Sequence, residues 1–168
     1  ARAEAAGQPP PTAVYVGAML EAPSLAYELD ALKGVADFVS VGTNDLMQFF
    51  HAADRASPHI ADRYDLVSRS ALTFLKQIAS ACARCDIPVS VCGEAAGRPV
   101  DALALLACGF ERLSMPAGGV APVKEMVRSL DLSAFQPVFD GALEKAYGSF
   151  RNELLAIARQ HGVVFGDA

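Results

Sequence analysis

The chain alternates between two patterns of hydrophobic and polar positions. Short apolar runs rich in Val, typical of strands buried in a parallel sheet, are followed by longer segments whose apolar residues recur every three or four positions, typical of helices. We expect strands over 14–20, 37–41, 89–92 and 113–115, helices over 23–34, 68–85, 100–108 and 120–130, and a long loop with a short helix after 42. Strand and helix therefore alternate four times, which predicts an α/β fold with a parallel sheet.

Polar side chains stand where several of these strands end. Glu21 follows the first strand, Asn44 and Asp45 follow the second after the turn-forming Gly42, and Cys92 closes the third. Because the carboxyl ends of parallel strands share one edge, where α/β folds keep their chemistry, we expect a ligand to bind there. Glu21 and Asp45 are hard oxygen donors suited to a metal. A capped helix start after Gly42, with Glu21 as an acid at another helix N-terminus, is the alternative interpretation.

Composition sets the class of protein. The chain has 168 residues, 52% hydrophobic and 20% charged, which predicts one domain with a substantial core. The net charge is -5 and no run of Lys or Arg occurs, which argues against a nucleic-acid partner. No apolar stretch approaches the roughly 20 residues of a membrane span and no signal-peptide core is present, so we expect a cytoplasmic protein that does not bind a membrane.

The four cysteines do not form a disulfide framework in a chain of this type. Cys82 and Cys85 form a CxxC pair but share one helix face with positions 71, 75 and 78, and no second pair completes a zinc site. We therefore expect them to pack in the core, and we expect the same of Cys108, which precedes Gly109. Cys92 differs because it ends a strand.

The segment 37–48 closely resembles the signature of the phosphoenolpyruvate-utilising enzymes, a family that includes phosphotransferase-system enzyme I, phosphoenolpyruvate synthase and pyruvate phosphate dikinase. The resemblance implies that Glu21 and Asp45 bind Mg²⁺. It also implies that Cys92, in Val-Cys-Gly-Glu, is the general acid that protonates the enolate of pyruvate at carbon three. A nucleophilic thiolate and a buried strand cysteine are the alternatives for Cys92. The implied substrate-binding residues are Gly42, Thr43, Asn44, Asp45 and Arg55.

The resemblance extends over residues 13–130 and implies the second half, strands five to eight, of a (β/α)₈ TIM barrel. A complete barrel takes about 250 residues, and only four strand-helix units fit in this chain. A small open α/β domain is the alternative. Residues 1–12, which include three consecutive prolines, are expected to be a connector from a preceding helix.

Residues 131–168 are expected to form a C-terminal helical extension. One stripe at helical spacing predicts a helix that packs on the barrel or on a partner subunit; its residues are Leu143, Tyr147, Phe150, Leu154 and Ile157. The segment 149–162 is similar to the tail of the nitrogen-related enzyme I branch. His51 and His59 are expected to be ordinary loop histidines, because the family carries its phosphorylated histidine on a separate domain.

The resemblance thus implies the C-terminal region of a phosphoenolpyruvate-protein phosphotransferase. The intact enzyme would move the phosphoryl group of phosphoenolpyruvate to a histidine on another domain and then to a small phosphocarrier protein, releasing pyruvate. The fragment alone would be inactive, and the intact protein a homodimer. The alternatives are the barrel of phosphoenolpyruvate synthase or pyruvate phosphate dikinase, and a non-catalytic dimerisation fragment.

Overall fold

A computed structural model describes residues 7, 9, 11–54 and 65–166 of the chain. Its four strands are β1 (Gly17–Leu20), β2 (Phe38–Gly42), β3 (Val89–Cys92) and β4 (Leu113–Ser114). Its α-helices are α1 (Thr43–His51), α2 (Arg69–Cys85), α3 (Pro99–Ala107), α4 (Ala117–Ser129), α5 (Leu132–Lys145) and α6 (Arg151–Gln160). Three short 3₁₀ helices cover Pro23–Tyr27, Leu29–Leu32 and Glu94–Gly97.

The strands form one parallel sheet in the order β1-β2-β3-β4, as the alternation of strand and helix predicts. Leu20 pairs with Val41, Val41 with Val91, and Val91 with Leu113. Because this register runs straight across the sheet, the carboxyl ends of all four strands lie at one level. Residues that follow the strands therefore converge on one edge.

The two faces of the sheet differ in burial. Leu20, Val39, Val41 and Val91 are fully buried and belong to the hydrophobic core. The opposite face carries Met19, Phe38, Ser40, Ser90 and Cys92, none of which is fully buried. Parallel sheets are normally covered on both faces, and in the part of the chain that the structure describes this second face is the less covered one.

Helix α2 matches the sequence prediction within one residue. Ser68 caps it by accepting a hydrogen bond from the Ala71 amide at 3.4 Å. The predicted inward face is buried, with Cys82 fully enclosed and Cys85 donating to Oδ1 of Asp30 at 2.8 Å. Burial raises the pKa of Cys82 to about 11. The packing role predicted for these cysteines is confirmed, and Cys108 is buried too.

The segment 23–34 is not the single helix that we expected. It forms two 3₁₀ helices that meet at Glu28, whose backbone (φ -114°, ψ 16°) leaves helical geometry. Leu29 and Leu32 lie three positions apart, a spacing that the 3₁₀ helix aligns on one side. Leu29 is buried and Leu32 packs against the core. Strand β1 is also shorter than expected, because Val14, Tyr15 and Val16 lie exposed before it.

The C-terminal stripe is split between two helices. Helix α5 ends at Lys145 and α6 begins at Arg151, with Gly148 in the left-handed region (φ 65°) between them. Leu143, Phe150 and Leu154 are buried as expected, but Tyr147 lies in the connection and is 92% exposed. The sequence periodicity did not predict this break, because the apolar residues keep their helical spacing across Gly148 although the backbone leaves helical geometry there. No described helix is long and apolar enough to span a membrane.

Candidate active site at the carboxyl edge of the sheet

The junction of β2 and α1 builds the centre of the site. Gly42 is the last residue of β2 and Thr43 is already the first residue of α1. Asn44 and Asp45 therefore lie in the first helical turn rather than in a separate loop. This is the helix start that sequence reasoning left open, but Gly42 offers no side-chain cap. Asp45 complements the positive end of the helix dipole at this position.

Glu21 lies against this junction. It follows Leu20, the last paired residue of β1, and so stands level with Gly42 of β2. A methyl group added at Gly42 would come within 2.8 Å of Cγ and 3.0 Å of Oε1 of Glu21. The Glu21 carboxylate therefore occupies the space that any other residue at position 42 would fill. The sequence showed Gly42 as a turn residue but not this contact.

Thr43 joins the ends of β2 and β3. Its side chain is almost fully buried, and its hydroxyl donates to the carbonyl oxygen of Cys92 at 3.0 Å. Gly93 follows with φ 121°, a conformation that favours glycine. A methyl group added at Gly93 would lie 2.5 Å from Oγ1 of Thr43 and 3.4 Å from Oδ1 of Asn44. These contacts bring Asn44 beside the end of β3.

Cys92 is half-buried on the open face of the sheet, unlike the other three cysteines, which are buried. Its Sγ atom lies 3.8 Å from Sδ of Met19 on β1. The thiol thus borders an apolar thioether. Sequence reasoning did not single out Met19, although its place two residues before Glu21 puts both side chains on the same face.

A shallow cavity of about 270 Å³ opens between the ends of β2, β3 and β4. Its lining includes Asn44, Gly93 and Ser114. Ser114 pairs with Cys92 in the sheet and is exposed. A larger cavity of about 570 Å³ lies between α2 and the first two 3₁₀ helices and shares no lining residue with the first. We assign the site to the smaller cavity because the predicted site residues Asn44 and Cys92 border it or lie beside it.

Two further glycines fix the surroundings of this edge. A methyl group added at Gly119, in the first turn of α4, would lie 2.6 Å from Cα of Gly97. The N-terminus of α4 therefore touches the backbone of the 3₁₀ helix that follows β3. Gly119 is the sequence signal for this close approach, whereas a side chain at the adjacent Gly118 would meet no other atom within 4 Å.

The structure brings most of the predicted site residues to one edge, and one of them, Arg55, lies outside the described residues. Glu21, Gly42, Thr43, Asn44, Asp45 and Cys92 all stand at or directly after strand ends. Arg55 and His59 lie outside the described residues. His51 is not a loop histidine as expected but the last residue of α1, where burial lowers its pKa.

Two carboxylates at one edge fit a magnesium ion. Among the described residues no group of three or more His, Cys, Asp or Glu side chains forms a metal site. Mg²⁺ typically needs only one or two protein carboxylates and completes its octahedron with water and substrate oxygens. The exposed Glu21 carboxylate, held in the space left by Gly42, is a donor of that type, and Asp45 lies in the first turn of α1, directly after the neighbouring strand β2.

Comparison with known proteins gives the class. The family model for the phosphoenolpyruvate-utilising enzymes, PEP-binding domain, matches residues 1–132. The chain belongs to this family. The resemblance drawn from the 37–48 segment is thereby confirmed.

Three curated relatives illustrate the proteins of this family that the chain is similar to. A phosphoenolpyruvate-dependent phosphotransferase system protein of Salmonella typhimurium is 34% identical over 88% of the chain and 20% of the relative. A multiphosphoryl transfer protein of Xanthomonas campestris pv. campestris is 36% identical over 77% of the chain and 15% of the relative. A phosphoenolpyruvate-protein phosphotransferase of Haemophilus influenzae is 33% identical over 84% of the chain and 25% of the relative. The chain thus spans a quarter or less of each relative's length.

Proposed function

We propose that the chain is the C-terminal phosphoenolpyruvate-binding region of an enzyme I-type phosphoenolpyruvate-protein phosphotransferase of the nitrogen-related branch. The observation that carries this proposal is the alignment of Glu21, the Gly42–Asp45 junction and Cys92 at one sheet edge, with the Glu21 carboxylate resting on Gly42. The relatives described above support it, since all three are phosphotransferase or phosphoryl transfer proteins by name.

In the intact protein, residues 13–130 are the second half of a TIM barrel. Four parallel strands in sequential order and one incompletely covered face support this arrangement. Residues 1–12 connect to a preceding helix, and 131–168 form a helical extension. The open face of the sheet becomes the barrel interior, where the strand ends border a shared site. The intact protein is a cytoplasmic homodimer.

Glu21 and Asp45 would hold Mg²⁺ at this edge. The bound ion supplies positive charge that stabilises the phosphoryl group and the enolate. Asn44 and Arg55 bind the phosphate, with Gly42 and Thr43 allowing the substrate to approach the backbone at the start of α1. The amide groups of a first helical turn favour an anion at that position.

The reaction then divides between two domains. The bridging P–O bond of phosphoenolpyruvate breaks as a ring nitrogen of a histidine on another domain bonds to phosphorus. The enolate that leaves takes the Cys92 thiol proton at carbon three and becomes pyruvate, and the thiolate regains a proton from water. The phosphoryl group passes from the histidine to a small phosphocarrier protein. We expect residues 1–168 on their own to be inactive, because the proposed reaction needs a histidine on another domain.

Replacing Cys92 with alanine in the full-length protein tests the acid role. General acid catalysis contributes roughly 10²- to 10⁴-fold to a rate, so we expect Cys92→Ala to slow pyruvate formation from phosphoenolpyruvate by that order. Substrate binding, measured by calorimetry with Mg²⁺ present, should persist. Loss of binding with no change in the rate at saturation would contradict the acid role. Cys108→Ala, which changes a buried cysteine outside the site, is the matched control.

A further inference from the structure

The side chain of Met19 crosses the open face of the sheet between Glu21 and Cys92. Met19 lies on β1 and Cys92 on β3, with β2 between them, yet their sulfur atoms are 3.8 Å apart. Adjacent strands are about 4.8 Å apart, so the thioether spans the width of β2. It can do so because β2 presents only Ser40, opposite Met19, and Gly42, opposite Cys92, along this path.

The Met19 thioether lies beside the Cys92 thiol, from which the proton would be transferred. For Cys92 to protonate carbon three, that carbon must lie next to Sγ. The Met19 sulfur already borders Sγ, and the Glu21 carboxylate borders Gly42. The apolar wall nearest to carbon three is therefore Met19, while charged and hydrogen-bonding groups lie towards Glu21 and Asn44.

We propose that Met19 is a specificity-determining residue, whose thioether packs against carbon three and limits the size of the substituent there. This inference rests on the proposed function. An unsubstituted methylene can lie against both sulfur atoms, which are in contact at 3.8 Å, whereas a methyl group on carbon three directed towards β1 would meet the thioether. A flexible thioether fits irregular apolar surfaces closely.

The test compares two substrates in the full-length protein. One is phosphoenolpyruvate and the other is the enol phosphate of 2-oxobutyrate, which differs by a methyl group on carbon three. One extra methylene in an apolar pocket changes kcat/KM by about 10- to 200-fold, so the wild type should prefer phosphoenolpyruvate by a ratio in that range. Met19→Ala should lower this ratio about tenfold or more, because it removes the wall. Met19→Leu, which keeps the volume, should preserve it.

An unchanged ratio in Met19→Ala, with the wild type active on phosphoenolpyruvate, would overturn the inference and leave the proposed function standing. A wild type that transfers no phosphoryl group from phosphoenolpyruvate in the presence of Mg²⁺ would overturn both. Met19 is 49% exposed, so its truncation removes little core packing. Met19→Val, a smaller truncation, gives the same reading with an intermediate ratio if the alanine variant does not fold.

Discussion

At the scale of single residues, the site depends on two glycines, Gly42 and Gly93, because a side chain at either position would collide with a neighbouring side chain. Gly42 has an ordinary backbone conformation (φ -83°, ψ 85°) that alanine can adopt, so its requirement comes from the Glu21 carboxylate resting on it. Gly93 is constrained twice, by φ 121° and by the nearby Thr43 hydroxyl. Substitutions at the two glycines should therefore have different consequences.

Gly42→Ala should impair metal binding while leaving the fold intact. The added methyl group meets the flexible Glu21 side chain, which can move aside, so the variant should unfold at the same temperature as the wild type. The displaced carboxylate should raise the Mg²⁺ concentration needed for half-maximal activity about tenfold, as changes around metal ligands commonly do. Titrating the full-length variant with Mg²⁺ measures this. Gly141→Ala, at an open helical position, is the control, and an unchanged Mg²⁺ requirement in Gly42→Ala would contradict the contact.

At the scale of elements, an ion-pair network ties three segments together. Asp101 of α3 is fully buried and pairs with Arg98 and with Nη2 of Arg151, the latter at 2.8 Å. Arg151 also donates to Asp65 at 2.8 Å, and Asp65 accepts from Oγ of Ser149 at 2.7 Å. The start of α6 is thus fixed both to the segment before α2 and to α3.

Arg151→Ala should destabilise the protein. It would leave the buried Asp101 carboxylate with the more exposed Arg98 as its remaining partner, so the loss should stay below the roughly 3–5 kcal/mol that an uncompensated buried charge costs. Thermal unfolding of the full-length protein should show a Tm several degrees below the wild type. Arg159→Ala, exposed on the same helix, should change stability by no more than about 0.5 kcal/mol. Equal Tm values for the two variants would contradict the network's role.

The network also predicts a direction of pH dependence. Burial raises the pKa of Asp65, but hydrogen bonds from Ser149, Arg151 and the Val67 amide outweigh burial and hold the pKa below its ordinary value of 3.8. The stabilisation is therefore present above pH 3.8 and is lost as the pH falls through the lower folded-state pKa. Asp65→Asn should flatten the decrease in Tm as the pH falls below 3.8; an equally steep decrease in the variant would contradict this contribution.

How far the sequence predicts these elements depends on how local their causes are. Helix α2 was predicted almost to the residue, because its capping residue and the apolar spacing of its buried face both lie within the segment itself. The two 3₁₀ helices after β1 were not predicted. The spacing of the three leucines in this segment is compatible with an α-helix as well as with 3₁₀ helices, and tertiary packing determined which of them forms. The strand-end residues could be placed from turn chemistry and family resemblance, but Met19 and the Arg151 network join residues far apart in sequence and needed coordinates.

At the scale of the whole molecule, the open edges of the sheet are the dominant feature. β1 and β4 are the edge strands, and the residues leading into β1 are exposed and apolar, with Val14 and Tyr15 each 73% exposed. Exposed apolar edges are templates for pairing with other chains. In the proposed barrel, further strands of the same protein cover them.

The 168-residue chain on its own should therefore self-associate. Analytical ultracentrifugation should show a mean mass that rises with concentration, and Tyr15→Lys should reduce the association by placing a charge before the β1 edge. Val127→Lys, at an exposed apolar position on α4, should have little effect. A monodisperse monomer across the concentration range would count against the barrel-half proposal.

The central claim is that Glu21 and Asp45 form, with Cys92, the metal-dependent half of a phosphoenolpyruvate site. The most direct measurement is the phosphorylation of the full-length protein by phosphoenolpyruvate as a function of Mg²⁺, for the wild type and Asp45→Asn. We predict Mg²⁺-dependent phosphorylation in the wild type and none in Asp45→Asn, because the amide lacks the charge that holds the ion. Unchanged Mg²⁺-dependent phosphorylation in Asp45→Asn would contradict the claim.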